Sequence, residues 1–401
     1  MKKRILFIDD EPRVLEGLED LLVRHRRKWE MVFAPGGAAA LEQMRQTPFD
    51  VIVTDMRMPE MDGATLLGIV KDQHPRTVRI VLSGHSEMEA TMRTVPVAHQ
   101  FLHKPCDADI LEKTVERACD LQLLTADEGI RKVVGKLQRL PSLPTVYAAL
   151  QRTLADEKSG ARDVARIIEQ DIGMSAKVLQ LVNSAFFGLG RRITTIQEAV
   201  VYLGSGMLQK LVLATEVFNG SRLASRSGLS LDALRDHSVL TAGIAQKILS
   251  HDRKQAEDAW AAGLLHDIGK LVLAAELPDH LATAMALGHK TGRRLWQAEQ
   301  EIYGVSHAEI GAYLLGLWGL PYPLVEAVAN HHMPERVQHP GLDALTAVHV
   351  ANALAHECEL GGKPESPADL NSDYVVSLGL THHLPRWRES AQELACAKEI
   401  R

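Results

Sequence analysis

Cysteine is scarce in this chain. Four cysteines occur in 401 residues, and no two of them form a Cys-x-x-Cys pair. This argues against a zinc knuckle or a disulfide framework and fits a reducing cytoplasm. No apolar run reaches membrane-spanning length, and the N-terminal segment lacks the apolar core of a signal peptide. We therefore expect a cytoplasmic protein with no membrane insertion.

A large excess of positive charge is also lacking. The formal net charge is −6, which argues against broad, non-specific binding of nucleic acid. The basic run at residues 24–28 is short and is more typical of a helix cap than of a phosphate contact. No helix-turn-helix pattern carries a basic recognition face, so DNA is not an expected partner. The chain length predicts two or three domains.

Short apolar runs alternate with amphipathic helical patterns over residues 4–104. Five such units predict an α/β domain with a doubly wound, five-stranded parallel sheet. Polar side chains follow four of the runs directly, and the carboxyl ends of parallel strands meet at one crevice. The residues that end these runs are Asp9 and Asp10, Asp55, Ser83, and Lys104.

Carboxylates gathered in this way suit a magnesium ion. Mg²⁺ takes a few carboxylates, a carbonyl and waters in an octahedral arrangement. Asp9 and Asp10 would supply acidity for the ion. Asp55 would be both a ligand and a nucleophile that accepts phosphate. The backbone carbonyl of Arg57 could be a further ligand.

The other two polar groups suit the phosphoryl oxygens. Lys104 can pair with them and the Ser83 hydroxyl can donate to them. Pro105 after Lys104 is compatible with a fixed turn, including a cis one. Each of these residues alone would be an ordinary strand-end or capping residue. Their common order and spacing favour a phosphoryl site.

These motifs make residues 1–122 resemble a response-regulator receiver domain of bacterial two-component signalling. The resemblance implies a flavodoxin-like fold, Asp55 as phospho-acceptor and a sensor histidine kinase as partner. It also implies Asp9 and Asp10 as the acidic metal pair, with Ser83, Phe101 and Lys104 as the switch residues. Phosphorylation would add about −1.5 to −2 charge and re-pack the face of the fourth and fifth strands.

Strand patterns vanish in the second half. The pattern predicts a helix from about residue 107 to 137, and the prolines at 141–144 stop it. Residues 145–395 read as consecutive helices, so we expect an all-α domain. The segment 221–228 reads as a loop between two lobes. The expected boundaries are a linker helix at 123–140 and a helical domain at 141–395, with lobes at 141–222 and 229–385.

Ligand-type residues concentrate in the second lobe. Neutral imidazoles and a bridging carboxylate suit Fe, Mn, Zn or Ni, as one ion or as two about 4 Å apart. Histidines buried as ordinary core residues, and an ion that only braces the helices, are the alternatives. The candidate ligands are His237, His266, Asp267, His307, His331, His332 and Asn352.

The motifs of residues 136–385 resemble the HDOD domain, a branch of the HD phosphohydrolase superfamily. Among them are 140–144, 181–188, 196–204 and the His331-His332 pair. HDOD domains generally act as regulatory modules without ligands, whereas this chain also matches HD-GYP phosphodiesterases at the candidate ligands and at Lys270, a candidate phosphate contact. Two departures put a cyclic dinucleotide substrate in doubt: Asn352 replaces a carboxylate, and Met333-Pro334-Glu335 replaces the Gly-Tyr-Pro element.

Two functions remain open from the sequence. In the first, Asp55 phosphorylation controls an HDOD signalling output that acts on an unidentified signalling protein or nucleotide. In the second, the output is an active metal-dependent phosphohydrolase regulated by the receiver. The apolar stripe of the helix at 107–137 indicates either a homodimer or packing onto the chain's own HDOD lobe.

Overall fold

A computed structural model describes most of the chain. The residues it describes are 2–84, 94–124, 128–137, 140, 144–156, 159–184, 191–214, 227–338, 341–359 and 370–399. Three sequence motifs fall wholly or partly outside this set: the proline segment 141–144, the first-lobe motif at 181–188 and the loop at 221–228. No helix in the described part of the chain combines the length and apolar character needed to cross a bilayer.

A five-stranded parallel sheet forms the N-terminal part. Its spatial order is β2-β1-β3-β4-β5, the order of flavodoxin-like folds. The central strands β3 and β4 are buried along their whole length, as continuously apolar runs predict. The predicted doubly wound parallel sheet is therefore confirmed. The strands are β1 (Lys3–Ile8), β2 (Trp29–Ala34), β3 (Val51–Asp55), β4 (Val78–Ser83) and β5 (Gln100–His103).

Helices cover the sheet and lead out of it. Three of them connect successive strands from β1 to β4, and two follow β5. Residues 125–127 between the last two lie outside the description, so a single helix over 107–137 stays a prediction. The helices are α1 (Pro12–Leu21), α2 (Gly37–Gln46), α3 (Gly63–Gln73), α4 (Ala108–Leu124) and α5 (Glu128–Lys136).

The secondary-structure elements in the described part of the chain after residue 137 are all helices, which confirms the all-α expectation. The first group is α6 (Pro144–Ala155), α7 (Ala161–Ile168), α8 (Ile172–Val182) and α9 (Ile196–Ala214). The second group is α10 (Leu231–Ile248), α11 (Arg253–Leu265), α12 (Ile268–Glu276), α13 (Pro278–Thr291), α14 (Leu295–Tyr303), α15 (His307–Leu317), α16 (Tyr322–Asn330), α17 (Ala344–Glu359), α18 (Ser372–Ser377) and α19 (Leu384–Glu399).

The turn between α15 and α16 contacts the sheet domain. Gly319 in this turn has a φ of +77°, a conformation that favours glycine, and it packs beside the Gln100 side chain of β5. Arg117 of α4 donates through Nη2 to the Leu320 carbonyl oxygen. Arg192 donates through Nη1 to the Gly319 carbonyl oxygen at 3.0 Å. The turn is thus held from both domains.

A second contact joins the linker helix α5 to the sheet domain beside β4. Arg79 is fully buried and donates to the carbonyl oxygens of Val97 at 2.6 Å and of Gly135 at 3.0 Å. The backbone of α5 lies so close that a Cβ on Gly135 would stand 1.7 Å from the Pro75 carbonyl oxygen. Helix α5 therefore packs against the sheet domain of its own chain, and the choice between a homodimer and packing onto the HDOD lobe stays a prediction.

Helix α8 completes the contact through Lys177 and Gln180. Gln180 donates through Nε2 to the His99 carbonyl oxygen at 3.1 Å. The Lys177 ammonium donates to Gln180 Oε1 at 3.0 Å and lies 4.0 Å from the Trp318 ring centroid. Burial and, to a smaller extent, the charge of the nearby Lys71 lower the pKa of Lys177 to about 7. The packed state therefore favours the neutral amine.

Lys177→Met should change how stability depends on pH. The cost of packing a charged Lys177 is complete below about pH 7 and fades as the pH rises toward 10.5, the ordinary pKa. We expect the Tm of the parent, measured relative to Lys177→Met by calorimetry, to increase by about 2 °C over that interval. Lys247→Met, at an exposed lysine, is the control. Parallel pH curves for the parent and Lys177→Met would contradict the burial of a titrating amine.

Candidate functional site

One candidate site lies at the carboxyl ends of β1, β3 and β5. Asp9 follows β1, Asp55 ends β3 and Lys104 follows β5. The Lys104 ammonium donates to Asp9 Oδ2 at 2.7 Å and also contacts Asp55 Oδ1. Both carboxylates are buried, whereas Lys104 keeps partial exposure. A lysine is thus placed against two buried acidic groups, as the strand-end pattern predicts.

Backbone amides orient the same carboxylates. Arg57 N donates to Asp55 Oδ2 at 3.0 Å, and Glu11 N donates to Asp9 Oδ1 at 2.9 Å. Helix α3 begins close by, because a Cβ on Gly63 would stand 2.4 Å from the Asp55 carbonyl oxygen. Burial raises the pKa of Asp55, and the hydrogen bond from Lys104 opposes that shift.

The other predicted residues of this crevice occupy the expected strand ends. Ser83 ends β4 and is fully buried, Phe101 on β5 is buried, and Asp10 is half-buried beside Asp9. The Lys104–Pro105 bond is cis. Since carboxylates, a hydroxyl and an ammonium surround one crevice, the chemistry suits a divalent cation and a phosphoryl group.

A second candidate site forms where α11 ends and α12 begins. The apolar segment around His266 and Asp267 is two helices: α11 ends at Leu265 and α12 starts at Ile268. The two ligand-type residues therefore lie in the turn between them. Helix α12 packs directly on the start of α15, because a Cβ on Gly269 would stand 1.9 Å from the His307 carbonyl oxygen. This close approach brings Asp267 and His307 together.

Asp267 is the centre of this buried cluster. Its Oδ1 lies 3.0 Å from His307 Nε2 and 3.9 Å from His331 Nε2. Its Oδ2 lies 3.3 Å from His266 Nε2 and accepts from the Lys270 ammonium at 2.6 Å. Asp267 and these three histidines are each no more than 1% exposed. A carboxylate and three imidazole nitrogens thus converge in the protein interior.

The outer nitrogens of these rings are held by acceptors. In each of the three histidines Nδ1 faces a carbonyl or carboxylate oxygen, and Nε2 is the nitrogen on the Asp267 side. Metal-binding histidines have this arrangement, since the outer hydrogen bond fixes the ring and its tautomer. The pairs are His266 with the Gly263 carbonyl at 2.7 Å, His331 with the Val328 carbonyl at 2.8 Å, and His307 with Glu299 Oε2 at 2.7 Å.

The inner atoms fit a cation. Among the described residues, His266 Nε2 and His331 Nε2 are buried without a hydrogen-bond partner. Such orphaned polar atoms are costly unless a further group satisfies them. His332 Nε2 lies 3.0 Å from His307 Nε2, about the separation of two nitrogens bound side by side to one ion at ~2.1 Å. The donor set suits a borderline transition metal.

The ring charges are consistent with such ligands. Burial lowers the pKa of His331 and of His332 well below the ordinary value, so both rings are neutral and can donate lone pairs. Burial also opposes charge on His307, but the Glu299 carboxylate overcomes it and raises that pKa to about 9. His307 is thus the ring that carries positive charge when no ion holds it.

His237 and Asn352 lie at the edge of the same cluster. His237 Nε2 lies 2.9 Å from Asn352 Oδ1, and its ring centroid lies 5.2 Å from that of His266. Asn352 is buried on α17. The sequence therefore identified residues that the fold brings together, although they are spread over more than a hundred positions.

Sequence reasoning missed Glu299. Its carboxylate is 1% exposed and accepts from both the backbone N–H and the ring of His307. Helix α14 offered a signal, because Leu295, Ala298, Glu299 and Ile302 follow the i, i+3, i+4, i+7 spacing of an apolar face. An acidic residue on such a face needs a buried partner. His356 and Glu359 beside His237 were missed as well.

The fold defines a class of protein: a parallel-sheet α/β domain followed by an all-α domain. Family models agree with both halves. Residues 5–116 match the response regulator receiver domain, and residues 140–334 match the HDOD domain. The chain belongs to the response regulators that carry a receiver domain followed by an HDOD domain.

Curated relatives are similar to this protein over about half of its sequence. A protein of Treponema pallidum (strain Nichols) described as uncharacterized is 27% identical over 56% of this chain and 44% of its own length. The response regulator protein PilR of Pseudomonas aeruginosa is 27% identical over 47% and 46%. The transcriptional regulatory protein ZraR of Escherichia coli K12 is 31% identical over 45% and 44%. The chain thus spans about half the length of these curated relatives.

A solved structure supports the fold. A virulence factor from Campylobacter jejuni superimposes with a TM-score of 0.51 and 22% identity, over 67% of this chain and 100% of that one. At this identity the likeness concerns the fold alone.

Asp267→Asn should remove the metal-binding capacity of the buried cluster. The substitution takes away the charge on which three imidazoles converge. We expect metal analysis after incubation with Zn²⁺ or Mn²⁺ and removal of loose ions to find no ion retained there. Glu299→Gln, which leaves the ligands in place, should weaken binding about 10–100-fold. Asp373→Asn, at an exposed position, is the control. Equal metal content in the parent and Asp267→Asn would rule out this centre.

Proposed function

We propose that a sensor histidine kinase phosphorylates Asp55 and thereby controls the HDOD domain through the turn between α15 and α16. Mg²⁺ would be held by Asp9, Asp10, Asp55 and the Arg57 carbonyl, and it would neutralise charge as phosphate approaches. Lys104 and Ser83 would bind the phosphoryl oxygens. The contact of β5 and α4 with this turn is the observation that carries the proposal.

Two helices connect that turn with the buried cluster. Helix α15 begins at His307, spans 11 residues, about 16 Å, and ends where the turn meets the receiver. Helix α16 starts just beyond the turn and leads back to His331 and His332. A displacement at the turn therefore acts on ligand-type residues at the far ends of both helices.

The receiver side of the contact includes the switch strand. Gln100 lies beside Gly319, and Phe101 and Lys104 follow along the same strand. A phosphoryl group on Asp55 would draw Lys104 and Ser83, and Phe101 would re-pack into the space that is released. The contact of β5 with the turn, made by Gln100 beside Gly319, would then change. This makes the receiver–HDOD contact a two-state element that phosphorylation biases.

Arg117→Ala should uncouple the two domains without affecting phosphate binding. Beryllofluoride with Mg²⁺ stands in for the phosphoryl group. In the parent it should increase hydrogen exchange in peptides covering 307–332. In Arg117→Ala, exchange there should already be higher and should respond little, because the bond to the Leu320 carbonyl is gone. Mass spectrometry measures the exchange.

Two variants control this experiment. Asp55→Asn should abolish the beryllofluoride response and the labelling by acetyl phosphate. Arg253→Ala, at a side chain that is 92% exposed, should behave like the parent. Labelling of Asp55→Asn would refute the acceptor assignment, and a full response in Arg117→Ala would refute this route of coupling.

The second candidate function is a metal-dependent phosphohydrolase. The buried donor set favours it, because Asp267 can bridge two ligand groups, one with His307, His331 and His332 and one with His237 and His266. A bound ion would supply Lewis acidity at a phosphoryl oxygen. Lys270 beside Asp267 could bind the non-reacting phosphate oxygens. Asn352 contributes a neutral ligand, so the second group would hold an ion less strongly.

A turnover assay separates the two functions. If the domain is an enzyme, the Mn²⁺- or Fe²⁺-loaded protein should hydrolyse bis(p-nitrophenyl) phosphate or cyclic di-GMP, and His266→Ala should lose at least 100-fold in rate, a loss expected when a metal ligand is removed. His289→Ala, at an exposed histidine, should retain the activity. If the metal-loaded parent hydrolyses neither substrate, the enzyme hypothesis is refuted and the first function, a non-catalytic signalling output, stands.

A further inference from the structure

A further group of ligand-type side chains extends outward from the buried cluster and shares His237 with it. His237 of α10, and His356 and Glu359 of α17, bring one ligand atom each to within 4.8 Å of one another. Glu359 Oε1 lies 2.9 Å from His237 Nδ1, and Glu359 Oε2 lies 3.2 Å from His356 Nδ1. The two imidazole rings stack with centroids 4.3 Å apart. The carboxylate thus stands between two nitrogens of the same kind.

The spacing along α17 accounts for this convergence. Asn352, His356 and Glu359 follow one another at i, i+4 and i+7, so they lie on one face of the helix. His237 packs across that face, with Nε2 toward Asn352 and Nδ1 toward Glu359. One imidazole is therefore shared between an inner and an outer set of polar groups.

The donor types beside Glu359 suit a cation. Its carboxylate oxygens lie against the Nδ1 atoms of His237 and His356. Two imidazole nitrogens and a carboxylate oxygen are the donor types that a transition-metal ion accepts.

The two nitrogens of His237 have different neighbours. Nε2 lies 2.9 Å from Asn352 Oδ1, and Nδ1 lies 2.9 Å from Glu359 Oε1. Nδ1 is therefore the nitrogen that an ion held by Glu359 would share.

We propose that His237, His356 and Glu359 form an outer site for a divalent transition-metal ion of the Zn²⁺ type, separate from the cluster around Asp267. The side chains of His356 and Glu359 are 28% and 41% exposed, so an ion reaches them from solvent and water completes its coordination. This site does not depend on whether the buried cluster is catalytic.

The shared imidazole makes the two sites compete. A neutral His237 has one lone pair, which binds either the outer ion through Nδ1 or an inner ion through Nε2. Binding both ions at once requires loss of the remaining ring proton. Occupancy of the outer site therefore withdraws one ligand from the inner group with His266 and Asp267.

The stoichiometry of Zn²⁺ binding to the full chain tests this site. Equilibrium dialysis followed by metal analysis should find one ion fewer per chain in His356→Ala than in the parent, and Glu359→Gln should show the same loss. Both residues are partly exposed, and neither belongs to the buried cluster. His289→Ala should bind as many ions as the parent. Co²⁺ in place of Zn²⁺ should lose one set of visible absorption bands in His356→Ala.

The outcomes separate this proposal from the receiver-controlled function. Equal stoichiometry and affinity in the parent, His356→Ala and Glu359→Gln would overturn the outer site, whatever the buried cluster binds. An ion lost from His356→Ala but retained by Asp267→Asn would support it, even if Asp55 phosphorylation had no effect on the output. Circular dichroism and thermal unfolding of His356→Ala would exclude a folding defect as the cause of the lost ion.

Discussion

A carboxylate buried in a protein needs positive charge or hydrogen-bond donors around it, and both sites of this chain are arranged around that requirement. In the receiver, Lys104 and a backbone amide surround Asp55. In the helical domain, Lys270 and imidazole nitrogens surround Asp267. Each carboxylate ends or interrupts a secondary-structure element, where its neighbours come from several elements. The same physical need therefore produces two sites in unrelated folds.

The sequence predicted the features that follow from local pattern. Continuous apolar runs ending in Asp55 or Lys104 predicted buried parallel strands, and parallel strands bring their carboxyl ends together, so the crevice followed from the order of elements. The helical second half followed from the disappearance of such runs. The roles of Asp55, Ser83 and Phe101 stay predictions. Resemblance to known motifs, rather than spacing, identified the ligand-type residues around Asp267.

The features that were missed depend on tertiary packing. Glu299 and Glu359 lie in helices that carry no ligand motif, and only the packing of α14 on α15 and of α17 on α10 gives them their partners. The break between α11 and α12 was likewise not evident, because His266 and Asp267 lie in an apolar run that is typical of one helix. Side chains that orient ligands are set by three-dimensional neighbours, and a single sequence records those neighbours poorly.

The contact between the domains is of a kind that can rearrange reversibly. Arg79, Arg117 and Arg192 all donate to backbone carbonyl oxygens, and Lys177 donates to an amide. Within the described part of the chain the three guanidinium groups are therefore held by carbonyl dipoles, and burial lowers the pKa of each of them and of Lys177. Such a contact is specific in geometry but modest in net free energy, because desolvation offsets much of the hydrogen bonding. If a phosphoryl group favours one arrangement of this contact over the other by a few kcal/mol, that difference is enough to change which arrangement predominates.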